Sequence, residues 1–515
     1  MRSKIFSVLK GIICLFVVIA FLVTPTMPFL SAMDHALSQE ESSVIDQYIQ
    51  EQMADCRIPG FSLGVVKGDK VLYSKGYGKA DDTNRPVTPQ TPFVVGSVSK
   101  TFTALAMMQL VEAGKMNLDS PVHDYLSEFE TADAGLSRQI TVCQLLNHTS
   151  GIATEAEFQV ATLKGDDETI SELVSKFNRI TLAHKPGSKF EYSNANYILL
   201  GELIQKVAGL SYEEYIQKNI FDPLEMRHSY TSSAAARQDD LAKGYLSVFG
   251  FPIAADFPYR KDFLPAYSII SCAEDMTHYM IAMMNDGEYM GRRILSAQGI
   301  ADMQQSSAKI SEWSSYGLGW YVTSGSIYHG GEIPDYQAKI KLLPEDGLGV
   351  VLMYNTSSTS AVTLFNVGYR DRIESGIINA LYGLPPTDGF RQNPFDLNSY
   401  PMALTYGILL GIVLLVLLLF IMSILRLRSM QKRLAKSRFS FIRTVFFAGL
   451  INVLLPLWLL LAVPIEKQVS WAVIVHNMPD IGWSLLVSSL LLLCIGAVKG
   501  SIILKYLRNK KTIQV

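Results

Sequence analysis

Ser97 and Lys100 lie three residues apart in the stretch VVGSVSKTFTALAMMQLV (residues 94–111), in which Lys100 is the only charge. Read as a helix, this stretch is apolar on nearly every face, which suits an element buried on all sides. A spacing of three puts both side chains on one face of the first turn. Burial disfavours the ammonium form of a lysine, and the positive end of a helix dipole disfavours it further. A partly neutral amine beside a hydroxyl can take its proton and arm the oxygen for attack. The competing reading makes Ser97 an N-cap and lets Lys100 snorkel to the surface. The spacing alone does not choose, because Ser-x-x-Lys recurs at Ser7/Lys10, Ser306/Lys309 and Ser429/Lys432.

Two further groups could complete such a site. PGSKFEYSNANYILLGELI (186–204) places Tyr192, Ser193 and Asn194 in a loop that opens a helix. A tyrosine near a lysine can become phenolate-like and shuttle a proton, and an asparagine amide can orient an amide substrate. A half-buried Tyr and an N-capping Asn would look the same. SIYHGGEIPDY (326–336) places His329, Gly330 and Gly331 at the end of an apolar strand. Two glycines let a substrate approach the backbone, and the amide of Glu332 could meet a developing oxyanion together with that of Ser97. A plain strand ending in a glycine turn is the alternative.

The elements that must carry these residues follow from periodicity. FSLGVVKGDKVLYSKGYG (61–78) reads as a hairpin around a Gly-Asp turn. From about residue 115 to 300 the patterns are mostly helical, broken by Pro and Gly loops such as 184–190 and 221–226. Strands return after 315, including a long hairpin over 336–355, and a last helical run covers Ala361–Leu381. The expected class is α/β: an antiparallel sheet built from both chain ends, flanked by helices, with an all-helical lobe inserted between. A cleft between two such lobes is a natural active site.

At 515 residues the chain exceeds one hydrophobic core. A formal net charge of −2 gives no reason to invoke nucleic acid. Basic residues Arg2, Lys4 and Lys10, followed by the apolar run Gly11–Val23, make residues 1–33 a signal peptide or an uncleaved anchor. Leu404–Leu425, Thr444–Val463 and Gly482–Leu504 each approach the ~20 residues that span a bilayer. The loop between the first two carries seven Lys or Arg residues from Arg426 to Arg443, the tail carries four, and the Pro464–Ile481 loop has only Lys467. That asymmetry sets the basic loop and the tail inside and the long N-terminal part outside. The expected organisation is an extracytoplasmic domain over 34–383, a Pro-rich linker over 384–403 and a three-helix membrane region over 404–515. Cys56, Cys143 and Cys272 are an odd set outside, so no disulfide framework is implied, and no zinc-type spacing links them to the histidines.

Ser-x-x-Lys opening a buried helix, Tyr-x-Asn after a helical insertion and His-Gly-Gly on a late strand, in that order, resemble the serine hydrolases that include class C β-lactamases, low-molecular-weight penicillin-binding proteins and related esterases. LLNHTSGI (145–152), LAKGY (241–245) and AEDM (273–276) are similar to that family's recurring segments. The resemblance covers roughly residues 43 to 383. It implies Ser97 as the acylated nucleophile, Lys100 and Tyr192 as the proton-transfer pair, Asn194, His329, Gly330, Gly331 and Glu332 as substrate-binding positions, and no metal or cofactor. His329 stands where many members carry a lysine that attracts a substrate carboxylate, and a histidine is largely neutral at pH 7. The plan of an exported domain followed by membrane helices is also similar to that of prodrug-activating peptidases of nonribosomal peptide pathways. Those remove an acylated D-asparagine cap, although Val94 occupies a position where a polar contact to that cap is expected. The expected substrates are therefore small peptides, D-amino-acid amides or esters, with Glu332 and Asp335 bringing negative charge to the cleft edge and the bilayer as the other partner. A non-turnover β-lactam receptor is the rival reading; the short tail after Leu504 speaks against it.

Overall fold

The computed structural model describes residues 37–154, 156–160, 168–248, 250–357 and 369–386 and, discontinuously, much of 410–512. The N-terminal segment expected to be a signal or anchor and most of the expected linker lie outside the described residues.

Helix α1 (Gln39–Cys56) starts at a capping box between Ser38 and Glu41 and stops where Arg57 turns left-handed. Strands β1 (Gly60–Lys67) and β2 (Lys70–Gly78) form the expected hairpin, with Gly68 supplying a positive φ of 56° at the turn. After it come helices α2 (Ser99–Glu112) and α3 (Asn194–Ala208), strands β3 (Gly244–Val248) and β4 (Phe251–Ala255), and helix α4 (Ala273–Met284). Six further strands follow: β5 (Ala308–Lys309), β6 (Ser315–Tyr316), β7 (Tyr321–Val322), β8 (Ile327–Ile333), β9 (Tyr336–Leu343) and β10 (Leu348–Tyr354).

Eight of these strands make one sheet in the order β2-β1-β10-β9-β8-β7-β6-β5, with antiparallel neighbours throughout. The N-terminal hairpin thus adds to the late strands, as expected of a sheet shared between chain ends. Strands β1 and β10 are apolar on both faces because both faces are covered. On one side Phe61, Leu63 and Leu352 pack with Ile45 and Ile49 of α1 and with Ile373 and Ile377 of α5 (Tyr369–Leu381). On the other, α4 lies so close that a Cβ at Gly64 would press on Thr277 and the Ala273 carbonyl.

Two expectations need correction, and a third is met in part. The inserted lobe is not all-helical, because β3 and β4 form a hairpin within it and β3 also pairs in parallel with β11 (Thr356–Ser357). Its Gly and Pro content hid a strand pair inside a helical background. His329 is not at a strand end: β8 continues through it to Ile333. Membrane-length apolar helices number two among the described residues, Phe441–Ala462 and Gly482–Arg508, where three were expected. The expected first span, Leu404–Leu425, falls only in part on described residues.

Candidate active site

From residue 91 to residue 108 every side chain is buried except that of Ser97. Ser97 sits in a 3₁₀ turn, Gly96–Val98, that leads into α2; the helix N-cap is Val98, with no side-chain capping bond. The capping reading of Ser97 therefore does not describe this turn. Nor does Lys100 snorkel, since it is 0% exposed.

The Lys100 amine has three partners: Ser97 Oγ at 3.1 Å, Asn194 Oδ1 at 2.7 Å and the Ala266 carbonyl at 2.9 Å. Two of them, the amide oxygen and the carbonyl, can only accept. A neutral amine spends its two N–H groups on them and turns its lone pair to the Ser97 hydroxyl. Burial lowers the Lys100 pKa to about 7, against the pull of the Glu157 carboxylate, which raises it. Near neutral pH the amine is therefore partly a base aimed at one hydroxyl.

Asn194 opens α3 and is clamped from both ends, because its Nδ2 donates to Glu157 Oε1 at 2.9 Å while its Oδ1 faces Lys100. A carboxylate on one side and an amine on the other leave one orientation for the amide. Glu157 lies on a short 3₁₀ helix (Ala156–Gln159) of the lobe and is fully buried. No spacing in the sequence pointed to it.

Tyr192 lies over the lysine, with the ammonium nitrogen 4.8 Å from its ring centroid and its hydroxyl hydrogen-bonded to Ser97. Burial, followed by the neighbouring Tyr321, pushes its pKa well above that of an ordinary tyrosine, against the Ser97 bond. The phenolate-like tyrosine expected from the sequence is thus corrected: at neutral pH Tyr192 carries its proton and is a donor. His148 holds it in place. The imidazole stacks 4.4 Å from the Tyr192 ring, and its Nδ1 accepts from the Ser193 amide at 3.2 Å. Burial first, and then Lys100, keep His148 well below the usual histidine range, hence neutral. Its φ of +60° is strained for a residue with a Cβ, which marks a turn held by its surroundings. The segment LLNHTSGI carried this signal, but it assigned the histidine no role.

Strand β8 forms the opposite wall. It pairs with β9 along its length but with β7 only at Ile327 and Tyr328, so from His329 onward its edge faces the Ser97 turn. Two glycines make that seam possible. A Cβ at Gly331 would collide with the Val95 carbonyl and stand 2.9 Å from the Ser97 amide nitrogen. Gly96, at φ +55°, would do the same to the Glu332 amide. The amides of Ser97 and Glu332 therefore share one seam, while Gly330 is partly exposed beside it.

His329 is 1% exposed and forms part of the floor: Nε2 meets the Tyr316 hydroxyl at 2.9 Å and Nδ1 the Gly330 carbonyl at 2.7 Å. The carbonyl can only accept, so Nδ1 carries a proton and Nε2 is held against the Tyr316 hydroxyl. The Glu332 carboxylate accepts from Ser357 at 2.7 Å. Asp335 departs from expectation. It is 3% exposed under the β3–β4 hairpin, so its carboxyl is not at the cleft edge, and burial lifts its pKa to about 7, which leaves it only partly ionised near neutral pH. Val94 is 7% exposed and pairs with Ile270, which removes it from the cleft surface.

The chain has known relatives. The β-lactamase family model matches residues 45–366. Protein flp of Staphylococcus aureus (strain MW2) is 28% identical over 327 residues, 62% of this chain, and the match spans 64% of that relative's length. Penicillin-binding protein 4 of Amycolatopsis lactamdurans is 28% identical over 399 residues, covering 74% of this chain and 98% of that protein. Among solved structures, an octameric penicillin-binding protein homologue from Pyrococcus abyssi superposes with a TM-score of 0.58 at 29% identity, covering 67% of this chain and 78% of that one.

Proposed function

This chain belongs to the β-lactamase family of serine hydrolases, and from that premise we propose that it is a membrane-tethered extracytoplasmic hydrolase that cleaves amide or ester bonds of D-amino-acid-containing substrates through an acyl-enzyme on Ser97. The observation that carries the reading is the buried Lys100 amine, whose two acceptor partners leave its lone pair for the Ser97 hydroxyl. In acylation Lys100 takes the hydroxyl proton as Ser97 Oγ attacks the substrate carbonyl. The amides of Ser97 and Glu332 stabilise the oxyanion. Tyr192 gives its proton to the leaving nitrogen or oxygen and is reprotonated from Lys100. Water, activated by the same pair, then releases the acyl group and restores Ser97.

Substrate preference follows from the charges that remain at the wall. His329, buried in the floor with both ring nitrogens engaged, gives little attraction for a free carboxylate, which disfavours efficient penicillin hydrolysis. With Asp335 withdrawn, Glu332 is the acidic group of that strand at the seam, and it suits a substrate amine or ammonium. D-Alanyl esters and D-amino amides are acyl donors with that character. The apolar run Leu404–Leu425 and the helices Phe441–Ala462 and Gly482–Arg508 supply the tether, and the basic residues between Arg426 and Arg443, beyond the first of these crossings, set the catalytic side outside.

The test is the purified full-length protein in detergent, assayed against N-acyl-D-amino amides, D-alanyl esters and a fluorescent penicillin. Cleavage of the D-amino substrates is expected, with slow acylation by the penicillin and negligible β-lactam turnover. Rapid catalytic penicillin hydrolysis would overturn the substrate assignment, and unchanged activity in Ser97→Ala would overturn the mechanism.

A further inference from the structure

The β3–β4 hairpin ends in an apolar tip that the catalytic domain does not cover. Phe251 is 57% exposed and Ile253 52% exposed, two apart on one strand and so on one face, which makes them a shared apolar edge rather than scattered residues. The tip is braced. The Arg57 guanidinium, at the end of α1, lies 4.2 Å from the Phe251 ring centroid and donates to the Gly250 carbonyl at 3.2 Å.

What lies beside the hairpin identifies the occupant. Leu246, Ala254 and Phe257, from the hairpin and the chain just after it, line one wall of an open cleft of about 480 Å³, and Val475, Pro479 and Trp483 line the other. Pro479 and Trp483 belong to the first turns of α6 (Pro479–Thr512), whose membrane-length apolar segment begins at Gly482. The outer end of that span is therefore level with the hairpin. Trp483, 54% exposed, sits where a tryptophan is favoured, at the boundary of headgroup and acyl chain. An apolar tip at the same height meets lipid rather than water.

We propose that the β3–β4 hairpin is a second membrane contact, with Phe251 and Ile253 inserted into the interfacial region of the bilayer's outer leaflet beside the start of α6. The contact rests on the membrane-tether reading given above. It adds a constraint on the height and tilt of the Ser97 cleft beyond the chain connection to the spans. The occupant is a lipid surface rather than a protein groove partner, because continuity with the span supplies it without any further component.

The experiment uses the full chain in phosphatidylcholine–phosphatidylglycerol proteoliposomes, with Cys14, Cys143 and Cys494 replaced by serine. A nitroxide is attached in turn at Ile253→Cys, Phe251→Cys, Met290→Cys and Leu490→Cys. Met290, 74% exposed, reports a surface in water, and Leu490, 49% exposed within the span, reports lipid. The expected result is that labels at 253 and 251 collide with oxygen in preference to a water-soluble nickel chelate, to a lesser degree than at 490 and opposite to 290. Labels at 253 and 251 that behave like 290 while 490 reports lipid would overturn the hairpin contact and leave the tether standing. A label at 490 that behaves like 290 would overturn the tether reading and this contact with it. Ile253→Cys removes only an exposed side chain, so it tests the proposal even where loss of Phe251 from Arg57 disturbs the tip.

Discussion

Ser97–Lys100 and Ser306–Lys309 share a spacing and nothing else. At the first, the serine is the one opening in a buried turn and the lysine is 0% exposed, with its three partners fixed. At the second, both residues are exposed on the edge strand β5 and its approach, and Lys309 pairs at 2.7 Å with Glu312 while both side chains remain largely in water. A solvated ammonium has no reason to give up its proton, whereas a buried one does. Reactivity thus comes from the surroundings of the motif, and the pair of sites provides an internal control.

The largest effect expected is from Ser97→Ala, which abolishes turnover and acyl-enzyme formation by mass spectrometry while leaving the circular dichroism spectrum unchanged. Next come Lys100→Ala and Tyr192→Phe, each costing on the order of 10²–10⁴-fold in kcat, the scale of lost general acid–base help. Because one proton passes between them, the double variant loses far less than the product of the singles; multiplicative losses would separate them into independent steps.

A subtler change probes the environment itself. In the proposed mechanism Lys100 is a base only when neutral, so kcat/KM is expected to fall as pH drops through about 7. Tyr192 keeps its proton well above the ordinary range and adds no descending limb near neutrality. The Glu157 carboxylate raises the lysine pKa, so Glu157→Gln moves the acid limb to lower pH. A limb that stays in place or moves up would remove Glu157 from the control of the base. The smallest effect is at the control site: Lys309→Ala leaves activity unchanged and stability within about 0.5 kcal/mol by chemical denaturation, as for exposed ion pairs generally.

The order of the motifs, the N-terminal hairpin and the late strands were legible because each rests on local periodicity and turn chemistry. The β3–β4 hairpin was not, because its Gly and Pro content hid it in a helical background, and its pairing with Thr356–Ser357 joins segments more than a hundred residues apart. Glu157 and the structural part of His148 were illegible for the same reason: their partners, Asn194 and Ser193, are distant in the chain. Asp335 shows the opposite failure. Its type promised a surface charge, and the packing of Gly244 against it withdrew its carboxyl from the surface.

By itself the sequence determined that a serine, a lysine, a tyrosine and an asparagine come in an order that resembles a known hydrolase plan, and that long apolar runs follow them. Those are properties of residue type and spacing, which one chain displays without folding. Only the tertiary structure decided which lysine is buried and partly neutral, that Tyr192 keeps its proton, and that His329 is part of the floor. Protonation depends on desolvation and on charges brought close across the fold, and no spacing along a chain states how far an amine stands from water.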